Sequence, residues 1–134
     1  GLAGGLHAFI GATLKPGIDV VLETAGFHDL VKTADLVITG EGRIDGQSLA
    51  GKVPIGVAQA VRAAGRVIPV IALAGSVGQD ADTLYDEGIT GVVPIGRGPQ
   101  DLATAIRRTA EDLTATARDV GRLMMACSPT GLTR

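Results

Sequence analysis

The stretch Asp35-Leu-Val-Ile-Thr-Gly-Glu-Gly-Arg-Ile-Asp-Gly-Gln-Ser-Leu-Ala-Gly-Lys-Val-Pro54 decides how the chain is read. It opens on a short apolar run, residues 36–38. It then breaks into a polar segment punctuated by Gly40, Gly42, Gly46 and Gly51. Between these glycines stand Glu41, Arg43, Asp45, Gln47, Ser48 and Lys52. Pro54 suits the first turn of a helix. Open α/β sheets place their ligands where a buried strand feeds a glycine-rich loop and then a helix. The stretch is therefore read as a strand over 36–39, a ligand-binding loop, and a helix over 54–64 ended by Gly65.

The segments on either side repeat that pattern. Residues 1–14 read as a glycine-rich loop running into an apolar helix over 6–14, with Gly4 and Gly5 in the loop. Pro16 opens a second helix in which Ile18, Val21, Leu22 and Ala25 share a face. Residues 27–33 form a short helical turn. Downstream, 68–73 is a buried strand ending in the turn Ala74-Gly75-Ser76. A helix over 80–87 follows, whose acidic residues Asp80, Asp82, Asp86 and Glu87 serve its terminus and solvent rather than a metal. Residues 91–95 are a third strand. The last helix spans 99–125, with Leu102, Ile106, Ala110, Leu113, Ala117, Val120 and Met124 as its apolar stripe. Met124 and Met125 fill core gaps, while Arg107, Arg108, Glu111, Asp112, Arg118 and Asp119 form a solvated face. Alternating strands and helices of this kind build a parallel sheet with flanking helices.

Composition agrees with that class. The chain has 134 residues, 46% hydrophobic but only 2% aromatic, so its core must be aliphatic. The net charge of −2 gives no basic stripe for nucleic acid. The single cysteine, Cys127, excludes an internal disulfide framework. No apolar run is long enough to span a bilayer, and no signal-peptide pattern is present. The expected compartment is the cytoplasm. His7 and His28 read as surface residues.

The central loop has the parts that phosphoryl transfer would require; the same residues also suit a surface turn whose mixed charges pair with one another. Its glycines, Gly40 and Gly42 among them, let a backbone approach a phosphate. Arg43 and Lys52 can neutralise phosphate or carboxylate charge, and arginine is the better bidentate clamp. Glu41 and Asp45 can hold Mg²⁺ or orient a hydroxyl. Gln47 and Ser48 can donate and accept hydrogen bonds. No G-x-S-x-G surrounds Ser48, which argues against acyl transfer.

Residues 38–58, Ile-Thr-Gly-Glu-Gly-Arg-Ile-Asp-Gly-Gln-Ser-Leu-Ala-Gly-Lys-Val-Pro-Ile-Gly-Val-Ala, closely resemble the signature of the bacterial type I glycerate kinase family. Gly1-Leu-Ala-Gly-Gly-Leu6 is similar to that family's Gly-Ala-Ala-Gly-Gly-Leu segment. Lys15-Pro-Gly-Ile18 and Pro69-Val-Ile-Ala-Leu-Ala-Gly-Ser76 resemble its next helix start and strand. The likeness covers 1–123.

It implies a Rossmann-like doubly wound fold, of which this chain is a part, with a second α/β domain facing it across a cleft. It also implies transfer of the γ-phosphoryl group of ATP, with Mg²⁺, to D-glycerate, giving 2- or 3-phosphoglycerate. Carried onto this sequence, it gives site roles to Thr39, Glu41, Arg43, Asp45, Gln47, Ser48 and Lys52, with Gly4 and Gly5 in a second site loop. We assign Arg43 to the glycerate carboxylate or a phosphate, Asp45 and Glu41 to Mg²⁺ or the hydroxyl, and Lys52 to phosphate. Two positions depart from the family pattern: Ser48 stands where threonine is usual, and His7 where a small residue is usual.

Family members are much longer, and the chain begins at Gly1 rather than at a methionine. The expectation is a carboxyl-terminal third, inactive alone. Residues 1–27 would face the second domain, 28–125 would carry the active-site segment, and 126–134 would be a tail. An uncovered sheet edge would favour self-association. The alternative reading is a non-catalytic phosphate- or small-molecule-binding α/β module.

Overall fold

A computed structural model describes residues 1–46 and 53–127. Helices α1 (Leu2–Ile10), α2 (Gly17–Thr24) and α3 (Phe27–Val31) lead into strand β1 (Val37–Ile44). Helix α4 (Val53–Ala63) crosses to β2 (Val70–Val77). A 3₁₀ turn (Gln79–Asp82) and α5 (Thr83–Asp86) cross to β3 (Gly91–Pro94), and α6 (Leu102–Cys127) closes the described chain. The sheet is parallel throughout, in the order β1-β2-β3.

The two faces of the sheet are covered by different helices, as a doubly wound fold requires. On one face Val37, Val70, Ala72 and Ala74 pack with Val57, Ala58 and Val61 of α4 and with Leu84 of α5. Ile18 and Leu22 of α2 pack against the same cluster. On the other face Ile71, Leu73, Val93 and Ile95 meet Val120 and Met124 of α6. The core is aliphatic, as the composition demands.

Three local expectations are corrected. Gly4 and Gly5 lie inside α1, which starts at Leu2, and not in a loop. This helix buries none of its residues, and a Cβ at either glycine would meet nothing within 4 Å. Strand β1 runs on through Gly40-Glu-Gly-Arg43 to Ile44, and β2 runs on through Ala74-Gly-Ser76 to Val77. Each extension holds the other, because backbone pairing continues at Glu41 with Ala74, Arg43 with Ser76 and Ile44 with Val77. Backbone pairing needs no apolar side chain, so polar and glycine residues can complete a ladder their local preference would not begin.

Helix α6 is rotated from its expected setting. Its buried residues are Asp112, Thr116 and Val120, while Leu102 and Ile106 are exposed. Asp112 therefore leaves the solvated face assigned to it. Met125, 74% exposed, fills no core gap.

Candidate functional site at the carboxyl end of the sheet

Parallel strands all deliver their following loops to one edge of the sheet. Here that edge carries a cleft of about 1190 Å³. Residues 38–43 of β1 line one side, and Gly75 and Ser76 of β2 line the floor. The connection between β3 and α6 (Gly96, Gly98, Pro99, Gln100) and the first half of α6 line the other side. The cleft exists because α6 packs on β2 and β3 and leaves the same face of β1 open. Ile38, on that face, is 48% exposed.

Of the residues named from sequence, Thr39, Gly40, Glu41, Gly42 and Arg43 line the cleft together. Thr39 is buried. Glu41 is half-buried, and its Oε1 accepts a hydrogen bond from the Gly42 amide at 3.2 Å. Arg43 Nε donates to Asp45 Oδ2 at 2.9 Å; the arginine side chain is 68% exposed and the carboxylate 19%. The carboxylate thus engages the guanidinium through Nε, and the arginine side chain stays largely exposed, where it suits an anionic ligand. Gly4 and Gly5 are not among the lining residues. Gln47, Ser48 and Lys52 lie outside the described residues.

Beyond Ile44, the Gly78 amide donates to the Ile44 carbonyl at 2.7 Å and draws the loop after β2 against the loop after β1. A Cβ on Gly78 would stand 2.8 Å from Asp45 Cβ, so the loop after β2 meets Asp45 at a position that has no side chain of its own. A Cβ on Gly46 would stand 2.9 Å from Asp80 Oδ2, which puts Asp80 beside the site loop. Sequence reasoning sent Asp80 to solvent. It also missed Ser76, the 96–100 connection and Asp112 as cleft-lining residues. Nothing local marks them; the one signal was the parallel topology, which sends the loops after β2 and β3 to the same edge as the loop after β1. Among the described residues no group of three or more His, Cys, Asp or Glu gathers as a metal site, and no helix is long and apolar enough to cross a membrane. His7 is satisfied locally, its Nδ1 lying 2.8 Å from the Ala12 carbonyl.

Known proteins place this geometry. The glycerate kinase of Bacillus subtilis (strain 168) is 46% identical over 120 residues, covering 90% of this chain and 31% of that protein. The glycerate 2-kinase of Escherichia coli (strain K12) is 38% identical over 120 residues, covering 90% of this chain and 31% of its own. A provisionally named glycerate kinase 2 from Salmonella typhimurium LT2, solved by crystallography, superposes with a TM-score of 0.65 at 38% identity, over 91% of this chain and 30% of that one. The chain spans about a third of the length of the relatives it matches. The profile of the glycerate kinase family matches residues 1–125, helical lead-in and cleft alike, and the chain belongs to that family.

Proposed function

We propose that the chain supplies one wall of the active site of an ATP-dependent glycerate kinase, which moves the γ-phosphoryl group of ATP onto a hydroxyl of D-glycerate. The observation that carries this reading is the cleft at the carboxyl edge of the sheet, with an outward-facing Arg43 braced by Asp45 at 2.9 Å. In the reaction an oxygen–phosphorus bond forms to the glycerate hydroxyl, whose proton is released to a carboxylate or to solvent, the bond to the β-phosphate oxygen breaks, and ADP leaves with that electron pair. Arg43 holds the glycerate carboxylate or a phosphate, and Asp45 keeps the guanidinium aimed. Glu41 orients the hydroxyl. The backbone at Gly40 and Gly42 approaches the phosphates with no side chain in the way. Gln47, Ser48 and Lys52 keep the roles the family likeness gives them, Lys52 toward phosphate.

Mg²⁺ binds through one or two carboxylates together with substrate phosphates, and retains several waters. Glu41 on the cleft wall and Asp45 beside Arg43 fit that sparse donor set. When bound, the ion would neutralise the phosphate oxygens as charge develops. Water must be kept from the transferring group, so the rest of the kinase closes the cleft. The apolar face of α1, with Leu2, Phe9 and Ile10 exposed, supports the assignment of 1–27 to contact with a second domain. We place the enzyme in the cytoplasm.

The test is a coupled kinase assay on the intact protein with glycerate and ATP, followed by identification of 2- or 3-phosphoglycerate. Arg43→Ala and Asp45→Ala are each expected to lower kcat/KM by on the order of 100-fold or more, as loss of a charged contact to the transferring group does. Wild-type kinetics in both variants would remove Arg43 and Asp45 from the site. Ligand binding without turnover would favour the non-catalytic module.

A further inference from the structure

We propose that Asp112 is a positioning residue that fixes the wall of the cleft opposite Glu41 and Arg43. The kinetic part of this proposal rests on the kinase reading; the structural part does not. Around Asp112 the cleft-lining residues of α6 are Leu102, Ala105, Ile106 and Leu113, all aliphatic, and the hydroxyl-bearing Thr109. Asp112 is the one charged residue among them, a carboxylate whose side chain is 3% exposed. A buried carboxylate is costly unless both its oxygens are engaged.

Both are engaged, by different elements. Arg108 Nη2, one turn back on α6, reaches Oδ1 at 3.1 Å. Gln100 Nε2, from the connection after β3, donates to Oδ2 at 3.5 Å. Arg108 also lies 3.4 Å from Glu111, and these two carboxylates raise its affinity for its proton, Asp112 foremost. Arg108 thus balances the buried charge, while Gln100 connects it to the loop.

The tie to Gln100 is one of three. Thr116 Oγ1 donates to the Ile95 carbonyl at 3.4 Å, and Asp119 Oδ2 accepts from Arg97 Nη2 at 2.6 Å. Positions 112, 116 and 119 are spaced by four and three, so they share one helix face. All three hold the connection 95–100, which contains Gly96 and Gly98 and would otherwise wander. The Gln100 side chain lies back over Gly96, where a Cβ would meet Nε2 at 3.5 Å. The Asp112–Gln100 contact is the one inside the cleft; Arg97 and Asp119 pair in the open, each about half-exposed. A leucine at 112 would match its aliphatic neighbours and leave the loop untied.

Asp112 acts through Gln100, and its loss should loosen binding more than it slows chemistry. The experiment compares Asp112→Ala, Gln100→Ala and the double variant in the intact protein. Hydrogen exchange of the Ile95 amide, which donates to the Ala74 carbonyl at 2.8 Å where the connection leaves β3, is the first readout and steady-state kinetics the second. Each single variant is expected to speed exchange there by about tenfold, the scale of one hydrogen bond to a charged group. Each should also raise KM for ATP or glycerate by about tenfold, with kcat within about threefold. The double variant should be no worse than the worse single, because both remove one contact.

Gln100 is exposed, so Gln100→Ala keeps the test open if Asp112→Ala does not fold. Unchanged exchange in Gln100→Ala overturns the proposal, as does a double effect equal to the product of the singles. Faster exchange with KM unchanged overturns the role in binding. Faster exchange in a protein that does not phosphorylate glycerate leaves the positioning intact and removes the kinase reading instead.

Discussion

Gly75 stands so close to Gly42 that a Cβ on it would lie 2.6 Å from the Gly42 carbonyl oxygen. The contact is strand against strand, in the segment where β1 and β2 extend past their apolar runs. It explains why position 75, on the floor of the cleft, is glycine. Two backbones meet there at a distance that leaves no room for a methyl group, and the neighbouring atom belongs to the main chain, which cannot swing aside as a flexible side chain would.

Gly75→Ala should therefore push β1 and β2 apart at the cleft. The expected cost is ~1–3 kcal/mol, as for overpacking in a tight site. Chemical denaturation of the intact protein measures it. Gly42→Ala is the informative contrast, since a Cβ there would meet nothing within 4 Å. It should cost markedly less stability; equal losses at the two positions would show that the close approach is not what demands glycine at 75.

Asp101 caps α6: its Oδ1 accepts from the Thr104 amide at 2.8 Å, the N-cap geometry. That bond, the backbone N–H of Thr104 foremost, holds the Asp101 carboxyl below its ordinary value. A carboxyl lowered in the folded state contributes stability that is complete above its unfolded pKa, about 3.9. The contribution is lost as pH falls through the lower folded value. Asp101→Ala should lower Tm by a few degrees near neutrality, and the gap from wild type should shrink below about pH 3.9. A gap that widens on acidification would reverse the sign and refute the cap.

The same physics sets what could be read from sequence. The aliphatic runs that begin β1 and β2 were legible because each is a short continuous apolar stretch bounded by turn residues. The far ends of these strands were not, because Gly40-Glu-Gly-Arg43 and Ala74-Gly-Ser76 become strand only through each other. The apolar stripe of α6 was visible, but not where it would point. Leu102 and Ile106 line the cleft, and the surface that docks on the sheet is Thr116 and Val120 with Asp112 beside them. An aspartate reads as solvated until a partner from another element is known, and Gln100 lies twelve residues away. Glu41 and Arg43 were found because they share one short motif. Asp80 and Ser76 were not, since their nearness to it depends on the register of β2.

Close packing also fixes how the lead-in helices seat on the sheet layer. A Cβ on Gly56 of α4 would stand 2.6 Å from Ile18 Cγ1 and 2.8 Å from its Cγ2, so α2 and α4 meet where α4 has no side chain. Gly56→Ala gains helix propensity of about 1 kcal/mol but forces Ile18 outward, at an overpacking cost of ~1–3 kcal/mol. The net expectation is destabilisation. Ile18→Ala alone should also destabilise, by removing a side chain packed on the main core. Combined, the two should be less harmful than their sum by roughly 1 kcal/mol, because the smaller residue at 18 makes room for the new methyl at 56. Strict additivity in a double-mutant cycle would mean that α2 does not rest on Gly56, and that residues 17–24 are held to α4 by other contacts.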